Sequence, residues 1–155
     1  MEKAIRIFLA NIIILFSVPA VASAGNLYVR VDKSIQKAWI ILDGQTLYIW
    51  DVSTANERLN CGTNGSFKKC QTPTGVFSPV LFKEYHYSKA WKSPMPFSVF
   101  FDQDGDAFHA ATISEIKNLG YPASHGCVRL WPSHAKIFFE LARYHHTRIE
   151  IVDGE

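Results

Sequence analysis

Ile35-Gln36-Lys37-Ala38-Trp39-Ile40-Ile41-Leu42-Asp43-Gly44-Gln45-Thr46-Leu47-Tyr48-Ile49-Trp50-Asp51-Val52 reads as two β-strands around a two-residue turn. Asp-Gly between apolar, aromatic runs is a strong hairpin signal, because so short a turn needs residues that tolerate positive φ. On either side the same pattern recurs in shorter pieces. Leu27 to Asp32 alternates, and further short strands are predicted at Gly75 to Val80, Phe97 to Phe101 and Ala107 to Ala110, with a second turn at Asp104-Gly105. Thr147 to Val152 alternates again and makes the last strand.

One helix interrupts this. It is predicted to start near Pro132 and Ser133, since Ala135, Phe138, Phe139 and Ala142 fall at i, i+3, i+4 and i+7, a single apolar stripe to lay on a sheet. Many short strands and one packed helix predict a mainly β (α+β) domain of β-sandwich-like form. Between Phe82 and Phe97 the chain carries Tyr85, His86, Tyr87, Trp91, Pro94 and Pro96. That stretch is too polar and too broken by proline for a regular element, so it reads as a long loop beside a cleft.

The first 24 residues have a different composition. A basic-leaning start, Met1 to Arg6, leads into an apolar run from Ile7 to Val21 broken only by Asn11, Ser17 and Pro19, and Ala22-Ser23-Ala24 fits a small-x-small cleavage site. The run is shorter than the ~20 apolar residues that a membrane span needs. It reads as a cleaved signal peptide over 1–24, with an uncleaved anchor as the alternative, and 25–155 then forms a single domain. Formal net charge is +2 for the chain, and loss of Glu2, Lys3 and Arg6 with the leader brings it to +1. No basic stripe or charge block points to nucleic acid or a membrane surface, and nothing in the composition fixes an oligomeric state.

Export leaves three cysteines, an odd count. Cys61 and Cys70 flank a segment rich in loop formers, and an oxidising compartment permits them to pair, for roughly 2 to 3 kcal/mol on a chain-entropy basis. The alternative is two free thiols. Either way Cys127 stands apart. It lies in Ser124-His125-Gly126-Cys127-Val128-Arg129, with His109 18 residues upstream. A thiol attacks a carbonyl as thiolate and needs an imidazole or other positive potential to get there, and His109 and His125 are the two suppliers. Gly126 leaves the backbone beside the nucleophile unshielded, so that N–H groups can be aimed at an oxyanion.

Histidine followed by Ser-His-Gly-Cys resembles the active-site signature of the L,D-transpeptidase (YkuD-type) catalytic domain of bacterial cell walls. Val52-Ser53-Thr54, Thr72-Pro73-Thr74-Gly75-Val76-Phe77 and Val128-Arg129-Leu130 resemble other runs of that family, and together the likeness covers Leu27 to Val152. The resemblance implies a fold of two mixed sheets. It implies Cys127 as nucleophile, His109 as base, the backbone carbonyl of Ala110 as the group orienting that base, and the N–H groups of Gly126 and Cys127 as oxyanion hole. His125 and Ser124 then belong to the loop that carries the cysteine. Arg129 either recognises a substrate carboxylate through its planar fork or braces the loop in a salt bridge. Where family members often have glycine shortly after the histidine, this chain has Ala110-Ala111.

The implied activity is acyl transfer on peptidoglycan: attack on a tetrapeptide stem, release of D-alanine, and transfer of the acyl group to an amine of another stem or of an outer-membrane lipoprotein, in the periplasm and without a cofactor. Water as acceptor makes it a carboxypeptidase. A papain-like hydrolase normally has its cysteine before its histidine, and a silent wall-binding module has no use for both. Zinc held by His109, His125, Cys127 and His134 matches none of the usual short ligand spacings.

Overall fold

The structure, a computed structural model, describes residues 24–62 and 68–154; the leader expected over 1–24 lies almost wholly outside the described residues. In chain order the elements are β1 (Asn26–Asp32), β2 (Lys37–Leu42), β3 (Gln45–Asp51), β4 (Gly75–Phe77), β5 (Leu81–Lys83), β6 (Tyr87–Ser88), β7 (Ser93–Pro94), β8 (Ser98–Phe100), β9 (Ala107–Ala110), a 3-10 turn at Ile116–Asn118, β10 (Val128–Leu130), α1 (Pro132–Tyr144) and β11 (His146–Val152).

The opening hairpin forms as read. Asp43 and Gly44 have φ of 49° and 82°, positive at both turn positions, and β2 pairs antiparallel with β3. Its first strand begins at Lys37 rather than Ile35, because Gln36 turns through a φ of 54° and buries its amide against Thr54 and the Lys33 carbonyl. β1 joins β2 antiparallel and β11 parallel, which gives a five-stranded mixed sheet in the order β3-β2-β1-β11-β4. A second mixed sheet, β10-β9-β8-β5, has its one parallel pair at β9 and β10.

Between the sheets lies the core. Leu27, Val29, Val31 and Ile40 from the first sheet meet Val99, Phe108, Val128 and Leu130 from the second, and Ala135, Phe138, Phe139 and Ala142 of α1 close it, as the periodicity predicts. The Phe108 and Phe138 rings sit 4.8 Å apart, so the helix is seated directly behind β9. Two expectations change. Gly75 to Val80 is extended only to Phe77, and the stretch read as irregular between Phe82 and Phe97 contains the end of β5 and a small hairpin, β6 and β7. β10 also has no counterpart in the sequence reading: three residues are too few to show a period.

Candidate active site

His109 and Cys127 reach one cleft because β9 and β10 run parallel. The register sets Arg129 beside His109 and leaves Cys127 one residue ahead of β10, at the mouth of the pair. The cleft holds about 810 Å³ and is lined by both residues together with Trp91, Asp106, Glu115, Ser124, His125, Gly126 and Arg129. Another hollow of about 840 Å³, lined by Tyr28, His146 and Arg148, contains neither.

His109 is buried, and its Nδ1 lies 2.9 Å from the Ala110 carbonyl. A carbonyl only accepts, so Nδ1 carries the proton of the neutral ring and Nε2 is left as the basic nitrogen. Burial pushes the imidazole down to about 4, against the opposing pull of that carbonyl; it also pushes the Cys127 thiol up to about 12, helped by the nearby Asp106 charge. At neutral pH the pair therefore rests as thiol and imidazole, not as an ion pair.

The loop before Cys127 is held from behind. Asn56 N–H donates to the Ser124 carbonyl (2.9 Å), the Thr72 hydroxyl to the Gly126 carbonyl (2.5 Å) and the Ser124 hydroxyl to the Cys127 carbonyl (2.6 Å). Cys61 and Cys70 are joined as a disulfide whose Cys61 sulfur touches the His125 carbonyl at 3.5 Å. A disulfide sulfur has no proton to donate, so this is a packing contact.

Several residues sit otherwise than expected. Gly126 turns its N–H to the Ser124 hydroxyl, 3.2 Å away, so of the two N–H groups expected at an oxyanion hole only that of Cys127 lacks a partner among the described residues. Glycine is needed at 126 for a different reason: a Cβ there would lie 2.1 Å from Asp106 Oδ1. The Arg129 fork is occupied by Glu115 (2.9 Å) and the Ala123 carbonyl (3.0 Å), with its Nε buried and unpartnered among the described residues. That geometry is the loop-bracing alternative. His125 carries the Trp91 indole stacked on its ring at 3.7 Å, which makes the β6–β7 hairpin one wall of the cleft. His134 is stacked on Trp50 and does not line the cleft, so the four residues weighed as zinc ligands are not gathered there. His86, in the stretch read as a loop beside a cleft, borders it edge-on to Phe100.

A family model, the YkuD L,D-transpeptidase catalytic domain, matches residues 26–151. The chain belongs to the L,D-transpeptidase family. Solved L,D-transpeptidases share the fold. One from Xylanimonas cellulosilytica is 24% identical, with a TM-score of 0.68 over 86% of this chain and 64% of that one. One from Mycobacterium smegmatis is 17% identical, with a TM-score of 0.69 over 82% and 58%. LdtMt1, solved in complex with imipenem, is 18% identical, with a TM-score of 0.69 over 83% and 59%. The chain thus spans about three-fifths of the length of these proteins. No curated protein matches it.

Sequence reasoning missed Asp106, Glu115, Thr72 as a brace, and the Trp91 stack. Only Glu115 left a local signal. Thr112-x-x-Glu115 is a capping-box spacing, and Glu115 indeed accepts the Thr112 N–H at 2.8 Å while its other oxygen holds Arg129.

Proposed function

We propose that this L,D-transpeptidase is a secreted enzyme of the periplasm, one catalytic domain over 25–155 behind a cleaved leader over 1–24, acting on peptidoglycan stem peptides. The reading rests above all on one observation: a thiol and an imidazole of fixed tautomer line one cleft, with the Cys127 N–H unpartnered among the described residues beside them.

The steps follow from the resting state. As the Cys127 sulfur bonds to the carbonyl carbon of the stem's L,D peptide bond, its proton passes to His109 Nε2 and negative charge gathers on the carbonyl oxygen. The Cys127 N–H stabilises that oxygen. His109 then gives the proton to the departing D-alanine amine, the C–N bond breaks and a thioester remains. An amine of a second stem, or of an outer-membrane lipoprotein, attacks the thioester, and the sulfur recovers a proton on release. Arg129 keeps its fork on Glu115, and its positive charge favours the Cys127 thiolate as the proton leaves. Thiol, imidazole and N–H suffice, so the chemistry asks for no cofactor.

Intact mass of the mature protein after incubation with defined muropeptides and with imipenem, with and without a chelator, tests this. Release of D-alanine and a chelator-indifferent adduct on Cys127 are expected. Loss of activity to the chelator, with no adduct, would overturn the reading.

A further inference from the structure

The peptide between Gly126 and Cys127 is trans, as are all described peptides. In a trans peptide the C=O and N–H point in opposite directions, so whatever fixes the Gly126 carbonyl also aims the Cys127 N–H. Thr72 fixes it. Its hydroxyl is buried, accepts the Ala55 N–H at 2.9 Å and so has its single proton directed to the Gly126 oxygen at 2.5 Å. Thr72 does not line the cleft, whereas Gly126 and Cys127 do. The carbonyl is drawn to the back of the loop, and the N–H is turned to the front.

Two residues before Thr72 stands Cys70, almost wholly buried, and its disulfide partner Cys61 packs on the His125 carbonyl of the same loop. Around them Ala123 and Ser124 N–H both donate to the Thr54 carbonyl, and Arg129 pairs with Ser53. The disulfide therefore ties the Thr72 segment to the back of the catalytic loop at the point where the loop's backbone orientation is decided.

We propose that Thr72, held in place by the Cys61–Cys70 disulfide, is the positioning residue that aims the Cys127 N–H at the substrate oxyanion, so that full-rate acyl transfer requires the oxidised pair. The inference rests on the acyl-enzyme reading above and extends it to compartment: the enzyme works fully only where the disulfide persists, and a reducing environment slows it without touching Cys127.

The test separates two reactions of the same thiol. Alkylation by iodoacetamide is a displacement at carbon that develops no oxyanion, whereas acylation by imipenem does. Thr72→Val should slow acylation at saturating imipenem about tenfold to hundredfold, the range just below removal of an oxyanion donor. Its alkylation rate should stay within about twofold, because the thiol and His109 are untouched. Thr72→Ser should restore acylation. Reduction of the wild-type disulfide by a phosphine, or Cys61→Ala with Cys70→Ala, should reproduce the valine phenotype. Acylation of Thr72→Val at the wild-type rate would overturn the inference, as would a serine variant no better than valine or a parallel loss of alkylation. If the valine variant does not fold, the phosphine arm decides: unchanged acylation of the reduced wild type rejects the proposal. Failure of the wild type itself to form an adduct would reject the acyl-enzyme reading instead.

Discussion

The two sheets are built from the same residue types but serve different ends. In the five-stranded sheet β1 and β11 pair along seven residues each, and their buried apolar side chains are Leu27, Val29, Val31, Ile149 and Ile151. In the four-stranded sheet no strand exceeds four residues, and β9 is buried throughout while including His109. The long sheet buries an apolar face and lines its other face with polar pairs such as Tyr28–Glu150 and Arg30–Glu150. The short one places an imidazole and, one residue before β10, a thiol where burial shifts both titrations. Strands that end early leave side chains at a cleft, and the helix behind β9 supplies the rigidity that strand length does not.

If that division holds, variants of the short sheet's end should lose chemistry and keep the fold. Cys127→Ala should abolish D-alanine release with thermal unfolding little changed, since the change removes a single sulfur from a partly buried side chain beside Met95, Phe100 and Ala107. Residual turnover near the native rate, measured with tetrapeptide stems, would break the comparison outright. His109→Gln should slow acylation about 10²- to 10⁴-fold, the range of a lost general base, and stopped-flow or quenched mass measurements would show it.

The long sheet should respond the other way. Ile149→Ala, in a site with no exposure, should cost about 2 to 5 kcal/mol in denaturant unfolding while turnover well below the transition stays close to native. A large loss of turnover in the folded variant would mean that the scaffold and the site are not separable.

A smaller effect belongs to pH. The folded-state value of His109 is lowered to about 4 from an ordinary 6.5, chiefly by burial, so between these limits the unfolded chain binds a proton that the native one refuses. Stability from this group is present above pH 6.5 and is lost as pH falls to about 4, by roughly 3 kcal/mol for a shift of that size. Asp106 opposes it. Burial and the Asp102 charge raise its carboxyl to about 7, so its contribution is present in acid and lost as pH rises through that value. The difference between wild-type and His109→Gln unfolding curves should isolate the histidine slope; a flat difference from pH 4 to 6.5 would refute the buried neutral ring. Least of all, Asp106→Asn removes a charge that holds the thiol up, and iodoacetamide should then alkylate Cys127 about two- to fivefold faster at pH 9.

Much of the frame was legible because it is local. Asp43-Gly44 dictates its turn through backbone sterics, and the stripe of Ala135, Phe138, Phe139 and Ala142 declares both the helix and its buried face. The pair His109 and Cys127 was legible too, through motif rather than period, and both line the same cleft. What stayed hidden is non-local. The strand β10, the Arg129–Glu115 pair, the Trp91–His125 stack and the Thr72 brace each depend on a partner brought across by the fold.

By itself the sequence determined the β-rich class, the hairpin, the helix face and which thiol and imidazole to suspect, since each follows from side-chain period, turn sterics or a short motif. Tertiary structure alone decided that Gly126 leaves room for Asp106, that its N–H turns inward, and that the Cys127 N–H is left without a partner among the described residues. The reason is physical. A peptide plane takes its orientation from what bonds to its carbonyl, and for Gly126 that partner is Thr72, 54 residues away in the chain.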